Sequence, residues 1–479
     1  MFIYNTLTNK KEEVIKPAKG PFKVFVCGPT VYDYIHIGNA RTYTSFDILV
    51  RYLRWRGWNV FYLQNITDVD NKIIRRAAKE NVSPLALAKK LEKNYHEDEK
   101  ALNVSSVTKY ARATDHIPQI ISQILTLIKK GYAYKTDDGY YFDISKFKSY
   151  GRLSGRTLGQ AEDSISRIDE GVNKKNKADF SLWKFPHTPV KEEQAKAGTK
   201  KYKIKIVNSE PLWLTPIGWG RPGWHIEDTA ITEHHFGVQY DLHGGGIDLK
   251  FPHHEAEIAQ QEAASGKSPL AMYWMHAGFL MINDEKMSKS FEGFITLRDF
   301  LKQYSANAFR YLVMTHHYRS PINYSPEIAG GAEEGVETLK EFLIKLQLIS
   351  KKGKGKEMTA EKDLETMEKD FISYMEDDLN TSAGISSIFT FVNKYQKNIW
   401  NMNRETAKLA HKKILEILMM LGFTFPKEKE PTEIKKMLVR RDEARGNKDF
   451  KSSDALRKKI EELGYKVEDT PMGQLVMKK

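Results

Sequence analysis

Two short motifs, separated by about half of the chain, carry the residues best suited to phosphate chemistry. The first is His36-Ile37-Gly38-Asn39, which follows an apolar run and the dipeptide Pro29-Thr30. The second is Lys286-Met287-Ser288-Lys289-Ser290, which combines two cations with two hydroxyl groups. A helix start offers unpaired backbone N–H groups and partial positive charge, and a flexible basic loop adds full charges. Together the motifs predict a polyphosphate site, whereas the second motif alone could equally be a solvated surface loop.

A third group of residues has the types found in metal sites. His253 and Glu257 are four positions apart in a predicted helix, so both side chains reach the same point. Cys27 ends the apolar run that precedes the first motif, and it is the only cysteine of the chain. An exposed helix face, for the pair, and a small buried hydrophobic residue, for Cys27, are the alternative interpretations.

Strands and helices alternate around these residues. Apolar runs predict strands over 23–28, 59–64 and 240–243, helical spacing extends from Ala40 to Leu53, and a helix over 253–264 begins after Pro252. This order predicts a parallel α/β unit with its ligand at the carboxyl ends of the strands. The run Gly244-Gly245-Gly246 would let the backbone approach that ligand closely.

The rest of the chain is less regular or more helical. Helical spacing over 117–130 and a short strand over 140–143 precede a Lys-, Gly- and Pro-rich stretch, 144–222, with weak order and a long excursion near 185–210. Beyond residue 300 helical periodicity dominates, and the run Lys351–Lys356 predicts a mobile linker. The tail, 432–479, carries one strong helix pattern over 450–463 and a short strand pattern at its end.

Composition limits the class of protein. A chain of 479 residues is too long to fold around a single hydrophobic core, so three or more domains are expected. The net charge of +13 favours a polyanionic partner. We see no apolar run of membrane-spanning length and no signal-peptide pattern, and a single cysteine suits a reducing compartment. The sequence therefore predicts a cytoplasmic protein that does not bind a membrane.

Longer strings across nearly the whole chain resemble those of class I aminoacyl-tRNA synthetases, and among them the cysteinyl-tRNA synthetases. Besides the two motifs above, these strings lie at 65–70, 150–155, 179–184, 223–227, 243–248, 251–257 and 317–325. The resemblance implies an α/β fold: a Rossmann-like parallel-sheet catalytic domain with an insertion domain, then a helical bundle and a small mixed α/β C-terminal domain. The implied segments are 1–115 and 223–300 (catalytic), 116–222 (insertion), 301–335 (stem contact), 336–425 (bundle) and 426–479 (anticodon binding).

The activity implied by the resemblance is ATP-dependent attachment of L-cysteine to its tRNA through a cysteinyl-adenylate. The implied catalytic residues are His36, Asn39, Lys286 and Lys289. The implied ATP-binding residues are Gly38, Gly244, Gly245, Gly246, Asp248, Ser288 and Ser290, with Mg²⁺ accompanying ATP. The implied residues for substrate cysteine are Cys27, Gly28, Thr67, Trp224 and His243, although a Trp in an α/β crevice is often simply part of the core.

The resemblance also implies zinc, held in that family by two cysteines, a histidine and a glutamate. Shape alone separates cysteine from serine by only about 10–200-fold, whereas a zinc–sulfur bond recognises the thiolate directly. The chain departs from the pattern at Asp228, where the family has its second cysteine. The expected ligands are therefore Cys27, Asp228, His253 and Glu257. A pocket without metal, or a set that recruits His225, His234 or His243, remains open.

The tRNA-facing residues are expected in the C-terminal half, where Arg445, Phe450 and Asp454 match anticodon-contacting positions of the family. An arginine fork, an aromatic face and a carboxylate suit base recognition, although a solvated helix with one buried Phe is the alternative. The expected partners are the tRNA for cysteine, ATP and L-cysteine, and the protein is expected to be a monomer. Alternative functions are a cysteine ligase of the mycothiol type and a non-catalytic RNA-binding paralogue.

Overall fold

The protein forms two compact units in a computed structural model that describes residues 1–156, 173–188, 190, 194–196, 198–282, 285–286 (backbone alone), 294–353, 360–425 and 431–478. The first unit comprises residues 1–330 and 374–382, and the second comprises residues 331–373 and 383–479. The six segments expected from the sequence divide the chain more finely, and their boundaries stay predictions.

The strands, in chain order, are β1 (Phe2–Asn5), β2 (Lys10–Glu13), β3 (Phe22–Val26), β4 (Val60–Ile66), β5 (Lys109–Arg112), β6 (Ala133–Lys135), β7 (Gly139–Phe142), β8 (Phe180–Lys184), β9 (Ile204–Val207), β10 (Glu210–Thr215), β11 (Gly218–Pro222), β12 (Tyr240–Gly246), β13 (Ala271–Ala277), β14 (Leu280–Ile282), β15 (Glu285–Lys286), β16 (Ile322–Tyr324), β17 (Tyr465–Thr470) and β18 (Gly473–Lys478).

The helices are α1 (Ile37–Trp55), α2 (Asn71–Glu80), α3 (Pro84–Ala101), α4 (Ile117–Lys129), α5 (Ile226–Phe236), α6 (His253–Ser265), α7 (Leu297–Leu301), α8 (Ala306–Met314), α9 (Pro326–Lys352), α10 (Glu361–Glu376), α11 (Thr381–Tyr395), α12 (Arg404–Met420), α13 (Thr432–Gly446) and α14 (Phe450–Glu462). Short 3₁₀ turns lie at Ala113–His116, Ile144–Lys146, Ile247–Lys250 and Gln396–Asn401. None of the helices in the described part of the chain has the length and apolar character needed to cross a bilayer.

A five-stranded parallel sheet organises the first unit, in the order β13-β12-β3-β4-β5. From β3 the chain continues through α1 to β4 on one side, whereas from β12 it continues through α6 to β13 on the other. The strand order therefore changes direction between β3 and β12, which in open α/β sheets opens a crevice at the carboxyl ends of the two strands. Cys27 follows β3 and Asp248 follows β12, so both lie at that crevice.

The strand and the two helices predicted around the catalytic motifs are present in the structure. The apolar run over 23–28 forms β3, the helical spacing from Ala40 to Leu53 forms α1, and the helix predicted after Pro252 is α6. The apolar residues of α1 face the sheet, and Phe46, Leu49 and Val50 are buried. The parallel-sheet α/β fold predicted from the sequence is therefore present.

The stretch 144–222, expected to be weakly ordered, is more regular than predicted over its described part. Its strands β8 to β11 join β6 and β7 in a six-stranded antiparallel sheet of order β6-β7-β8-β11-β10-β9. The prediction failed because these strands are short and rich in Lys, Gly and Pro. Their register is fixed instead by packing of Phe180, Leu182 and Trp213 into one apolar core with α4.

Helices dominate beyond residue 300, as predicted. Helix α9 continues through Lys351 to Lys352, so the start of the expected linker is helical, while its residues 354–356 lie outside the described residues. The helix predicted over 450–463 is α14, and the strand pattern after it forms the β17–β18 hairpin. Ile434, Ile460 and Val467 form the buried core of this small terminal part.

Candidate active site

The crevice between β3 and β12 holds a cavity of about 350 Å³. Its walls bring together the first motif, the end of β3 and the turn after β12; among the lining residues are Cys27, Gly28, His36, Gly38, Asn39, Trp224, Gly246 and Asp248. A larger cavity of about 640 Å³ lies between α4 and residues 198–202, but none of the expected site residues lines it. The chemistry predicted from the sequence therefore converges on the smaller cavity.

His36 caps the helix that enters this cavity. Its Nδ1 accepts the backbone N–H groups of Gly38 (3.1 Å) and Asn39 (3.3 Å), so the neutral ring carries its proton on Nε2. Two of the backbone N–H groups that we expected to bind a phosphate therefore already donate hydrogen bonds to the His36 imidazole. A phosphate at this helix start would meet the Nε2–H donor of His36 and the remaining positive end of the helix dipole.

Four expected ligands meet at the floor of the crevice. Cys27 Sγ lies 3.6 Å from Asp228 Oδ2 and 3.8 Å from Glu257 Oε1, and His253 Nε2 lies 2.9 Å and 3.0 Å from the same two oxygens. All four donor atoms lie within 4.8 Å of one another. Tetrahedral zinc with bonds of about 2.0–2.3 Å places its ligand atoms about 3.3–3.8 Å apart, so this set needs little adjustment to hold the ion.

The charges of this cluster also suit a cation. Burial, then the charges of Glu257 and Asp228, raises the pKa of the Cys27 thiol well above its usual value. Burial also raises the pKa of Asp228 to about 8 and, with the charge of Asp228, that of Glu257 well above the usual value. Three acids packed away from water resist ionisation unless a positive charge compensates them. Within the described residues Asp228 Oδ1 and Glu257 Oε2 have no hydrogen-bond partner, which leaves acceptor capacity for an ion.

The other ring nitrogen of His253, Nδ1, contacts a second histidine outside the cluster. His253 Nδ1 lies 2.7 Å from His225 Nδ1, and Trp224 stacks on the His253 ring at 4.3 Å. Burial lowers the pKa of His253 to about 3, so its neutral imidazole, the form that ligates metals, prevails at pH 7. His225 therefore orients a ligand instead of replacing one.

Sequence reasoning missed a chain of hydrogen bonds that ends on Cys27. Thr6 Oγ1 lies 3.0 Å from the Trp274 carbonyl oxygen and 2.7 Å from His276 Nδ1. His276 is neutral because burial lowers its pKa to about 3, and its Nε2 lies 2.8 Å from His254 Nδ1. His254 Nε2 in turn lies 3.2 Å from Cys27 Sγ.

His254 therefore joins the open alternatives for the ligand set. Cys27, His243, His254 and Glu257 form a second group whose donor atoms lie within 4.8 Å of one another. His243 Nε2 is 3.6 Å from Cys27 Sγ, and its Nδ1 bonds the Tyr240 hydroxyl at 2.6 Å. His234 lies elsewhere, at the end of α5 beside His116 and His235. The only sequence signal for His254 was its place next to His253 in the string at 251–257.

The remaining expected cavity residues occupy different depths. Thr67 is buried and donates its hydroxyl hydrogen to Glu227 Oε1, whereas Trp224 is half-buried and lines the cavity. Gly246 also lines the cavity, but a side chain at Gly244 would strike the Phe46 ring and one at Gly245 would strike His254. At Gly28 a Cβ atom would overlap the Asn65 carbonyl oxygen. Close packing within the protein accounts for glycine at 28, 244 and 245.

The second motif is described only at its start. The backbone of Lys286 lies in β15, paired with Met281 of β14. Ser288, Lys289 and Ser290 lie outside the described residues. Their expected roles stay predictions.

The three expected anticodon residues lie on α13 and α14. Phe450, at the first position of α14, leaves 59% of its surface exposed, so it is not the buried aromatic of the alternative interpretation. Arg445 Nη1 lies 3.1 Å from Asp469 Oδ2, and Asp454 is exposed. Asp469 also receives both guanidinium nitrogens of the buried Arg441, at 2.7 and 2.8 Å. The aromatic face of Phe450 is accessible to a base.

Comparison with known proteins agrees with this architecture. Residues 14–333 match the class I (C) tRNA synthetase catalytic domain, and residues 370–426 match the DALR domain. The chain is 42% identical to a cysteine–tRNA ligase of Thermoplasma volcanium, with 98% of each chain covered, and 40% identical to one of Clostridioides difficile, with 99% covered.

Solved structures agree at the level of the fold. A methionyl-tRNA synthetase of Mycobacterium tuberculosis in complex with methionyl-adenylate has a TM-score of 0.58 at 15% identity, covering 84% of this chain and 90% of that one. A ternary LeuRS–tRNA–LeuAMS complex of Agrobacterium radiobacter has a TM-score of 0.59 at 11% identity, covering 86% of each chain. With matches at 40% identity or more over nearly its whole length, this chain belongs to the cysteine–tRNA ligase family of class I aminoacyl-tRNA synthetases.

Proposed function

We propose that the protein attaches L-cysteine to its tRNA in two steps that consume ATP. The cysteine carboxylate attacks the α-phosphate of ATP to form cysteinyl-adenylate and pyrophosphate. A ribose hydroxyl at the tRNA 3′ end then attacks the acyl carbon and releases AMP. One observation carries the proposal. A buried cluster of possible metal ligands, Cys27, Asp228, His253 and Glu257, lies at the floor of the crevice, and the start of the helix capped by His36 lines the same crevice.

Adenylation needs no protein nucleophile, so the chain acts by positioning and charge neutralisation. His36 Nε2–H and Asn39 would meet the α- and β-phosphates, while Lys286 and Lys289 would meet the charge that develops on pyrophosphate. Gly38, Ser288 and Ser290 would shape the phosphate-binding backbone. Gly246 and Asp248 would face adenosine, with Gly244 and Gly245 bringing β12 close. Mg²⁺ accompanies ATP and needs no dedicated protein cage.

The four-residue cluster would hold zinc, and the distances and charges given above fit that ion. When bound, zinc would select the soft thiolate of cysteine over the hydroxyl of serine. His225 Nδ1, 2.7 Å from His253 Nδ1, orients the His253 ring toward the cluster, and His254 Nε2 lies 3.2 Å from Cys27 Sγ. Gly28, Thr67, Trp224 and His243 would then enclose the substrate cysteine, with the half-buried Trp224 ring as one wall of the cavity.

Recognition of the tRNA is assigned to the C-terminal half. Arg445, Phe450 and Asp454 would contact anticodon bases, by a guanidinium fork, ring stacking and a carboxylate acceptor. The net charge of +13 favours attraction to tRNA. We further propose that the protein works in the cytoplasm and as a monomer.

Two reactions test the function and separate it from the alternatives. Cysteine-dependent exchange of pyrophosphate into ATP is expected, and its absence would favour a non-catalytic RNA-binding paralogue. Cysteine attachment to the tRNA for cysteine is also expected. Exchange without charging, combined with transfer of cysteine to an amino sugar, would favour a ligase of the mycothiol type. Elemental analysis of the purified protein tests for zinc separately. Pyrophosphate exchange alone does not, because under the alternative of a metal-free pocket exchange is expected as well.

A further inference from the structure

Three imidazoles meet at the C-terminal end of α5, away from the cluster of Cys27. His234 and His235 close the helix, and His116 comes from the 3₁₀ turn after β5. One ring nitrogen of each lies within 4.8 Å of the other two. Asp228, near the other end of α5, is six residues before His234, which corresponds to about 9 Å along the helix axis. The histidines therefore form a group distinct from the proposed zinc site.

The orientation of His116 is fixed by its backbone contact. His116 Nδ1 lies 2.7 Å from the Arg112 carbonyl oxygen, which can only accept, so Nδ1 carries the proton. The lone pair of His116 Nε2 therefore points away from the backbone, toward His235 Nε2 at 3.3 Å. Two nitrogens bound to one tetrahedral zinc ion at about 2.0–2.1 Å are also about 3.3 Å apart. These two rings already have the spacing of a metal-bound pair.

The third ring is the exposed member of the group. His116 is buried, His235 is half-buried and His234 is exposed. The ring centres of His234 and His235 are 4.7 Å apart, and those of His234 and His116 are 5.6 Å apart. Rotation of the exposed His234 side chain can bring one of its ring nitrogens to a metal ion that His116 and His235 hold. The exposed side would leave a coordination position for water, as in three-histidine metal sites.

Some charges near the three histidines oppose a bound cation, and others favour it. Burial is the main reason that the pKa values of His116 and His235 are lowered. The charge of Lys109 lowers them further and opposes a cation, whereas Asp115 acts in the opposite direction on His116. The carboxyl end of α5 adds partial negative charge at Phe236 and Gly237.

We propose that His116, His234 and His235 form a second, solvent-accessible site for a divalent transition-metal ion such as Zn²⁺. An ion there would link α5 to the 3₁₀ turn that leads into α4, and it would stabilise the first unit because the unfolded chain lacks the preformed pair. Binding at this site is independent of the cysteine ligase activity proposed above.

The test is titration of the full-length chain with Zn²⁺, followed by calorimetry, after removal of bound metal with a chelator. The double variant H234Q/H235Q keeps the buried His116 and changes only accessible side chains. H187Q removes an exposed histidine from another part of the surface and serves as the matched control. Wild type and H187Q are expected to bind two zinc ions. The double variant is expected to lose one of them, or to bind it at least tenfold more weakly.

A further variant keeps this test separate from the proposed active-site zinc. C27S is expected to retain the histidine-dependent ion, and its zinc-induced rise in melting temperature should disappear when H234Q/H235Q is added but not when H187Q is added. A decrease in affinity of less than tenfold in H234Q/H235Q, or an equal decrease in H187Q, overturns the histidine site. Loss of the other ion alone, in C27S, bears only on the cluster of Cys27.

Discussion

Asp228 Oδ2 lies 2.9 Å from His253 Nε2, where a family pattern of two cysteines would place a thiolate beside the imidazole. The carboxylate oxygen stands one bond further from Cβ than a cysteine sulfur would, and in this position it meets both His253 Nε2 and Cys27 Sγ. The formal charge of a zinc site with Cys27, Asp228 and Glu257 ionised is +2 − 3 = −1, as it would be with a second cysteine. The substitution thus preserves charge and convergence, but it replaces a soft ligand by a hard one.

Removing the Asp228 carboxylate should therefore weaken zinc binding. We expect Asp228→Ala to lower zinc affinity at least tenfold and to weaken cysteine binding, with ATP binding little changed, whereas Asp228→Cys should tighten zinc. Asp137→Ala, at an exposed carboxylate, is the control. Zinc affinity should also rise when cysteine is present, by reciprocal linkage. Zinc-free protein that separates cysteine from serine as well as loaded protein does would contradict the zinc assignment.

Lys289 should act in the adenylation step and not in tRNA binding. The resemblance to class I synthetases assigns Lys289 to the charge that develops on pyrophosphate, and preorganised charges of this kind contribute several kcal/mol in a water-excluded site. We expect Lys289→Ala to slow cysteine-dependent pyrophosphate exchange by about two orders of magnitude or more. Lys302→Ala, at an exposed lysine, should exchange at the wild-type rate. Equal exchange rates in both variants would remove Lys289 from the mechanism.

The elements around the site were predictable where one local pattern decides them. Strand β3, helix α1 and helix α6 follow from apolar runs, helical spacing and a proline at a helix start. The ligand cluster was not predictable from spacing, because Asp228 lies 201 positions from Cys27 and only resemblance to a family joined them. The chain from Thr6 to His254 was missed for a related reason: Thr6 and His276 are 270 positions apart, and hydrogen-bond direction is invisible in a sequence.

Arg41 should stabilise the wall of the active-site cavity. Its buried guanidinium donates to the carbonyl oxygens of Gly278, Phe279, His317, Tyr318 and Ser320, and Gly278 and Phe279 line the cavity. Burial lowers the pKa of Arg41 to about 10, so it remains charged at pH 7.

We expect Arg41→Lys to reduce the free energy of unfolding by about 2–4 kcal/mol, because an ammonium group cannot reach all five carbonyl groups at once. Denaturant unfolding measures this effect. Arg56→Lys, at the exposed residue that follows α1, should reduce the free energy of unfolding by less than about 0.5 kcal/mol. Equal losses in the two variants would show that the carbonyl contacts do not stabilise the protein.

His96 should make stability depend on pH. Its hydrogen bonds to Glu92, first, and to Glu99 raise its pKa from 6.5 to about 9. The folded protein holds this proton more tightly than the unfolded chain, so the stabilisation is complete below pH 6.5 and disappears as pH rises through about 9. We expect His96→Gln to lower the melting temperature at pH 6 and to have little effect at pH 10, with H187Q unchanged at both. A pH-independent loss in His96→Gln would contradict the ionic origin.

Phe450 should affect tRNA charging without affecting adenylation. It leaves 59% of its surface exposed at the start of α14, whereas the motifs for adenylation lie before residue 291 in the chain. A base stacked on an aromatic side chain contributes about 1–3 kcal/mol, so Phe450→Ala should lower kcat/KM for tRNA by about 5–150-fold and leave pyrophosphate exchange unchanged. Leu463→Ala removes another exposed apolar side chain of the same terminal part and should change neither rate. If Phe450→Ala charges tRNA as Leu463→Ala does, the assignment of Phe450 to base stacking is wrong. If instead exchange also falls, the variant has disturbed the fold, which Phe450→Tyr, with its stacking face intact, should not do.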